Sequence, residues 1–219
     1  MKITAIQFED YFEKGVLTLT LIGMSGMGKS YRAKQLAELG FIPVCCDDLI
    51  ASNISELLPS NDVSGLAAWM GQPYADDYQN RERRYLELEE KVTGQAVEGV
   101  KGNTVIDTTG SIIYISSQTQ AKLKAKTLIV YLEANQEVYE QMFQVYMTNP
   151  KPVVWENAFD RKEGESGQDT LKRCYPELLR YRAKKYEALA DVTLPFEVAR
   201  DEKSSGAQFL QVINERLEM

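Results

Sequence analysis

Residues 16–30, VLTLTLIGMSGMGKS, decide the fold of this 219-residue chain. The first seven residues are a short leucine-rich and β-branched run, which predicts a buried strand. The next eight, GMSGMGKS, fit the pattern G-x-x-x-x-G-K-[ST]. Residues 29–39, KSYRAKQLAEL, overlap the end of this motif and predict a helix. A motif of this kind between a strand and a helix indicates a Walker A phosphate-binding loop. The sequence therefore predicts a site for a nucleoside triphosphate.

Each position of the motif has a physical role. The glycines allow backbone N–H groups to surround the β-phosphate at the N-terminus of a helix. Lys29 is expected to reach the β- and γ-phosphates, and the Ser30 hydroxyl to ligate Mg²⁺. ATP and Mg²⁺ are thus the expected cofactors. The predicted nucleotide-binding residues are Gly23, Ser25, Gly26, Met27, Gly28, Lys29, Ser30 and Tyr31. The alternative is a glycine-rich turn with a solvated lysine.

Composition limits the other functions open to the chain. The formal charge of −7 argues against a nucleic-acid groove or an anionic membrane surface. Histidine is absent, which excludes histidine triads, histidine metal sites and imidazole bases. Cys45, Cys46 and Cys174 have no metal-ligand spacing and are interpreted as reduced thiols. With neither a signal peptide nor an apolar run of membrane-spanning length, the expected location is the cytoplasm.

Strand-like and helix-like segments alternate along the chain. Further short apolar runs precede Asp47, Asp107 and Glu133, and another lies at residues 192–194. Alternation of this kind predicts a parallel sheet covered by helices on both faces. The expectation is one domain over residues 1–219, with residues 1–15 as an N-terminal extension.

Aspartates follow two of the predicted strands, at the sheet edge where ligands bind in such folds. Asp107, in VIDTTG, suits a role in holding a water on Mg²⁺, and Gly110 would let a substrate approach the backbone. Asp47 or Asp48 could orient or deprotonate an attacking hydroxyl. The alternative for each aspartate is a helix or turn cap.

Residues 148–169 contain prolines, glycines and mixed charges without periodicity, which predicts a mobile lid. Lys151 and Arg161 are its candidate catalytic cations, because positive charge beside the transferring group favours phosphoryl transfer. The alternative is a solvated loop. Arg182, on a later predicted helix, could bind a substrate carboxylate or pair with a structural acid such as Glu89.

The order of these motifs resembles that of the shikimate kinase family over most of the chain. The matching segments are GMSGMGKS, CCDDLI, YLELEE, VIDTTGS, KPVVW and RAKKYEALADVT, which begin at residues 23, 45, 85, 105, 151 and 182. The resemblance implies an α/β/α sandwich with a five-stranded parallel sheet in the order 2-3-1-4-5. It also implies MgATP-dependent phosphorylation of a hydroxylated acid. By resemblance, Asp47 or Asp48 takes the catalytic aspartate role and Arg182 binds the substrate carboxylate.

The sequence departs from the family at several substrate positions. Leu86 stands where the family has an arginine, and Lys151 where it has the lid arginine. Thr109 and Gly110, expected to contact the acceptor, belong to a Thr-Gly-Ser segment in place of a glycine triplet. A cysteine replaces the first aspartate of the D-x-D motif. The acceptor could therefore be a sugar acid, polyol or nucleotide, or the protein could be an ATP-binding regulator.

Overall fold

The computed structural model describes residues 2–148 and 151–218. Within these ranges, five strands form one parallel sheet. They are β1 (Thr18–Ile22), β2 (Ile42–Cys45), β3 (Thr104–Asp107), β4 (Leu128–Leu132) and β5 (Val192–Leu194). Their order in the sheet is β2-β3-β1-β4-β5, which confirms the predicted topology.

Helices cover both faces of the sheet. They are α1 (Ala5–Glu13), α2 (Lys29–Ala37), α3 (Cys46–Asn53), α4 (Val63–Met70), α5 (Tyr78–Glu98), α6 (Ser117–Lys126), α7 (Gln136–Thr148), α8 (Gly167–Leu189), α9 (Phe196–Ala199) and α10 (Gly206–Asn214). Helices α1, α10 and α2 pack on one another, and α3, α5 and α6 form a second group. Right-handed crossovers place these groups on opposite faces of the sheet. The result is the predicted three-layer sandwich.

The strands at the centre of the sheet are buried on both sides. Every residue of β1 and of β4 is buried, which explains why their sequences are continuous apolar runs rather than alternating ones. β2 lies at an edge and is partly exposed. The buried Thr20 hydroxyl of β1 donates to Oγ1 of Thr127, the residue before β4, at 2.8 Å.

Strand register brings the predicted site residues to one edge of the sheet. Asp107, the last residue of β3, lies beside Leu21 of β1 and Cys45 of β2. The carboxyl ends of β1, β2 and β3 therefore meet. The segments that follow β1 and β2 lie on either side of Asp107.

Two helix starts are not evident from the sequence. Helix α3 begins at Cys46, so Asp47 and Asp48 lie in its first turn rather than in a loop. Helix α8 begins at Gly167, nine residues before Pro176, because the Ser166 hydroxyl caps it by accepting from the Asp169 N–H.

The N-terminal extension folds as helix α1, which has a capping box at Thr4. Its buried Phe8 packs in the core, and the backbone N–H of Ala5 donates to the carbonyl of Glu218. Across residues 2–148 and 151–218, every helix is too short or too polar to cross a bilayer.

Candidate active site

The glycine-rich loop follows β1 directly and ends at the first residue of α2. Gly23 has a φ of 139°, and a Cβ there would lie 2.6 Å from the carbonyl oxygen of Leu132. A side chain is therefore excluded both by conformation and by close approach. Gly28 caps α2 with a φ of 92°, in the left-handed region. The loop thus turns at positions where glycine is required.

Lys29 lies beneath this loop. Its side chain is buried, and its amine donates to the carbonyl oxygens of Gly23 at 2.9 Å and Met24 at 3.0 Å. Burial lowers the pKa of Lys29, and the nearby carboxylates of Asp107 and Asp47 partly oppose this effect. The structure therefore places one positive charge where the loop closes, directed at the carboxyl end of the sheet.

Ser30 and Asp107 form an oxygen pair beside Lys29. Ser30 is exposed, and its hydroxyl forms a hydrogen bond with the buried Asp107 carboxyl. Burial raises the pKa of Asp107, whereas the charge of Lys29 and the Ser30 hydrogen bond oppose the rise. A hydroxyl and a carboxylate at the start of a phosphate-loop helix are hard oxygen ligands of the kind that Mg²⁺ accepts, directly or through water. These two residues fit the metal role that the sequence predicts.

The structure separates Asp47 from Asp48. Asp47 is partly buried and accepts a hydrogen bond from the Tyr85 hydroxyl at 3.2 Å, whereas Asp48 is exposed. Burial raises the pKa of Asp47 to about 6, the charge of Lys29 lowers it, and Asp107 raises it. Asp47 therefore belongs to the same electrostatic cluster as Lys29 and Asp107. The structure thus distinguishes Asp47, which contacts Tyr85 within this cluster, from the exposed Asp48.

A second buried carboxylate, for which the sequence suggested only a structural role, lies close enough to Asp47 for the two charges to interact. Glu89 on α5 is fully buried, and it accepts hydrogen bonds from the hydroxyls of Thr109 and Ser111. Burial raises the pKa of Glu89 to about 7, against the effect of these hydrogen bonds. Tyr85 lies one helical turn earlier on the same buried face. The Tyr-x-x-x-Glu spacing on the apolar side of a long helix is the signal that could have identified this pair.

Arg182 lies on the other side of Gly110. Its Nη1 donates to the Gly110 carbonyl at 3.2 Å, its Nη2 donates to the Val154 carbonyl, and its guanidinium lies 5.5 Å from the centre of the Tyr114 ring. No direct ion pair joins Arg182 to Glu89 among the described residues: the charge of Arg182 lowers the pKa of Glu89, but the carboxylate accepts its hydrogen bonds from the hydroxyls of Thr109 and Ser111. A guanidinium has five N–H donors, so these contacts leave donors for a ligand.

Arg182 also lines a cavity of 270 Å³ that opens beside the glycine-rich loop. Ser25, Gly26, Met27 and Gly110 form one wall, and side chains of α7 and α8 form an apolar wall. Lys151 lies on its rim, at the start of the described part of the predicted lid. Arg161 does not line it and instead donates from Nε to the Glu165 carbonyl at 2.9 Å. The cavity therefore brings together three groups of predicted residues: those of the loop, the acceptor segment and the lid.

A buried arginine connects the loop helix to the segment after β5. Arg32 donates to the carbonyl oxygens of Ala199, Val198, Asp201 and Ser204, and it lies 4.7 Å from the centre of the Phe209 ring. Tyr31 donates to the Glu202 carbonyl at 3.2 Å, so it contacts the same segment. This segment carries Arg200, which lines the cavity and approaches Gly28. No sequence signal indicates this connection, because its acceptors are backbone carbonyl oxygens.

Comparison of the fold with solved structures gives shikimate kinases. The enzyme from Acinetobacter baumannii in complex with shikimate is 19% identical, with 94% of both chains covered and a TM-score of 0.61. The shikimate kinase from Bacteroides thetaiotaomicron is 17% identical, with 91% of this chain and 97% of that chain covered and a TM-score of 0.58. The enzyme from Aquifex aeolicus is 17% identical, with 90% and 94% covered and a TM-score of 0.55.

The sequence itself matches no family model and no curated protein at a significant level. At these identities the structural similarity concerns the fold. The resemblance drawn from the sequence motifs is confirmed at that level: the chain has the shikimate kinase fold, with low sequence identity to the shikimate kinases compared.

Proposed function

We propose that this protein is an ATP-dependent kinase that phosphorylates a hydroxyl of a small anionic metabolite, in the manner of a shikimate kinase. The observation that carries the proposal is the meeting of Lys29, Asp107 and Asp47 at one sheet edge, beside a phosphate-binding loop. Phosphoryl transfer depends almost entirely on positioning and on electrostatic stabilisation. A buried cation, an oxygen pair for a metal and an adjacent carboxylate supply what that reaction requires.

The loop residues hold the nucleotide in this proposal. Backbone N–H groups of residues 23–30 surround the β-phosphate, and Lys29 binds the β- and γ-phosphates. Ser30 and Asp107 hold Mg²⁺, which when bound neutralises charge on the phosphates. Tyr31 is assigned to the nucleotide side only indirectly, through its contact with the segment after β5.

Asp47 orients the acceptor hydroxyl and accepts its proton. A pKa of about 6 leaves Asp47 mostly ionised at neutral pH, so that it is available as a base. Its hydrogen bond from Tyr85 engages Oδ1. The second oxygen, Oδ2, is then the one assigned to the acceptor.

Arg182 binds the anionic group of the acceptor, and Gly110 provides the wall against which the acceptor lies. Among the two lid cations, Lys151 is assigned to the transferring phosphoryl group because it lines the cavity with Ser25 and Gly26. Arg161 is directed to Glu165 and is left without a catalytic role. A lid cation is effective at this place because it acts where water is excluded.

A different acceptor is the second candidate, and Leu86 favours it. This side chain lines an outer groove with Glu82 and Tyr114, and it carries no charge at the position where the resemblance calls for an arginine; the cation that α5 contributes to the same groove is Arg83, three residues earlier. Loss of one charged hydrogen-bonding partner costs about 1.5–3 kcal/mol, which weakens recognition of a carboxylate. Sugar acids, polyols and nucleotides therefore belong in the same screen as shikimate.

The test is a coupled assay of ADP release from MgATP over small hydroxy acids, sugars, polyols and nucleosides. We expect stimulation by one chemical class, and loss of turnover in Lys29→Ala but not in Lys34→Ala, an exposed position on the same helix. Intact turnover in Lys29→Ala would overturn the proposal. ADP release that no acceptor stimulates would instead support an ATP-hydrolysing regulatory protein.

A further inference from the structure

The segment Val153–Glu156, here named the anchor segment, is packed into the protein although it lies within the predicted lid. Val153, Val154 and Trp155 are all buried. The Trp155 ring lies against the rings of Tyr146, Tyr175 and Phe159, with centroid separations of 6.3, 5.8 and 5.7 Å. Such a cluster fixes the segment against α7 and α8.

Glu82 on α5 holds the backbone of this segment. Its carboxylate is buried, and Oε1 accepts hydrogen bonds from the backbone N–H groups of Trp155 and Glu156, the latter at 2.9 Å. The Tyr78 hydroxyl lies 2.6 Å from both Glu82 Oε1 and the Val153 carbonyl oxygen. A carboxylate oxygen that receives two backbone donors is a strong fixed point, because charged hydrogen bonds are stronger than neutral ones. The single O–H of Tyr78 is shared between this oxygen and the Val153 carbonyl.

The backbone at this point is strained. Glu156 has a φ of 44°, in the left-handed region that a glutamate rarely adopts. Such a conformation persists only where the surroundings impose it. The N–H of Glu156 is one of the two that Glu82 binds, so the carboxylate is part of what imposes it.

The anchor segment begins two residues after Lys151. Arg182 holds its Val154 carbonyl from α8, while Glu82 and Tyr78 hold it from α5. The anchor segment is therefore held from both α8 and α5, and Lys151, two residues before it, lines the cavity beside the glycine-rich loop. Glu82 itself lines the outer groove with Leu86 rather than this cavity.

We infer that Glu82 is a positioning residue, which acts on the nucleotide's terminal phosphate through Lys151 and not by contact. The inference rests on the proposed function, because it assigns Lys151 to that phosphate. It goes beyond that proposal in naming the group that fixes the lid cation. The same geometry makes Tyr78 a second, weaker support for the anchor segment.

The experiment is a double-mutant cycle between Glu82→Gln and Lys151→Met, read through the affinities for ATP and for ADP. Each single variant should lower the ratio of ATP to ADP affinity by roughly tenfold, the loss expected for one charged hydrogen bond, with ADP affinity unchanged. In the Lys151→Met background, Glu82→Gln should change the ratio by less than about twofold. The control Glu87→Gln, at an exposed position on α5, should leave both affinities unchanged.

Each outcome decides a different question. Equal effects of Glu82→Gln in both backgrounds, or no effect in either, would overturn the inference while nucleotide binding stands. A wild-type protein that binds neither nucleotide would overturn the proposed function instead. If Glu82→Gln fails to fold, Tyr78→Phe takes its place in the cycle, with the same requirement that its effect disappear with Lys151→Met.

Discussion

Replacement of Glu89 by glutamine should change how the stability of this protein depends on pH. Glu89 is fully buried on α5, and both its oxygens accept hydrogen bonds from hydroxyl groups. Glutamine has the same shape and carries no charge at any pH. Hydroxyl groups can rotate to donate or to accept, so Thr109 and Ser111 can still pair with an amide. The substitution therefore removes a titration with little change in packing.

The sign and size follow from the pKa of Glu89, which rises from 4.5 to about 7 on folding. Between these values the folded state binds more protons than the unfolded state, so stability falls as pH rises. The contribution of Glu89 is fully present below its unfolded pKa and is lost as pH increases through about 7. At about 1.4 kcal/mol for each pKa unit, the loss is about 3 kcal/mol in the free energy of unfolding.

The assay is urea unfolding of wild type and Glu89→Gln, followed by tryptophan fluorescence at several values between pH 4.5 and 8. The free energy of unfolding of the variant, relative to wild type, should rise by about 3 kcal/mol across this range. Asp47 also titrates here, but it is present in both proteins. Glu87→Gln, at an exposed position on the same helix, should give a constant difference. A constant difference for Glu89→Gln as well would refute the reasoning.

Two further changes test other parts of the site. Tyr85→Phe removes a hydrogen bond that lowers the pKa of Asp47. In wild type, kcat/KM should rise as the pH increases through about 6, and in the variant this rise should occur at higher pH. The variant should therefore lose roughly tenfold in kcat/KM at pH 6 and less at pH 8. An unchanged pH profile would remove Asp47 from the proton path. Arg32→Met leaves four backbone carbonyl oxygens without their donor. We expect the free energy of unfolding to fall by about 3 kcal/mol and the Tm measured by calorimetry to fall by about 6–12 °C. The control Lys34→Met should change the Tm little. A Tm equal to that of wild type would show that water replaces Arg32 at no cost.

The sheet could be predicted from sequence because local patterns determine it. The apolar run before Gly23 has the length and composition of a buried strand, and the loop motif fixes both the strand end and the helix start. Asp107 was identified for the same reason, since it follows a strand directly. Parallel strands end at one edge, so the meeting of Asp107 with Lys29 required only the topology.

The choice between Asp47 and Asp48 required the three-dimensional structure. Both aspartates lie in the first turn of α3, where either could cap or favour the helix. Only the rotation of that turn against α5 decides which carboxylate meets the Tyr85 hydroxyl. The spacing of Tyr85 and Glu89 indicates that they share one face of α5, but the hydrogen bonds of Glu89 with Thr109 and Ser111 depend on how α5 packs.

The predicted lid shows most clearly where local sequence stops being informative. Prolines, glycines and mixed charges between residues 148 and 169 describe a segment with no periodicity, and in isolation such a segment has little to bury. The groups that fix its Val153–Glu156 part are Glu82 and Tyr78, more than 70 residues earlier in the chain, and Arg182, which lies on a later helix. Because the groups that fix it are so distant in sequence, this loop has the composition of a mobile segment although Val153, Val154 and Trp155 are as buried as core residues. In the function that we propose, Lys151 would therefore act from a fixed base, and a change at α5 would weaken the site without contact with any ligand.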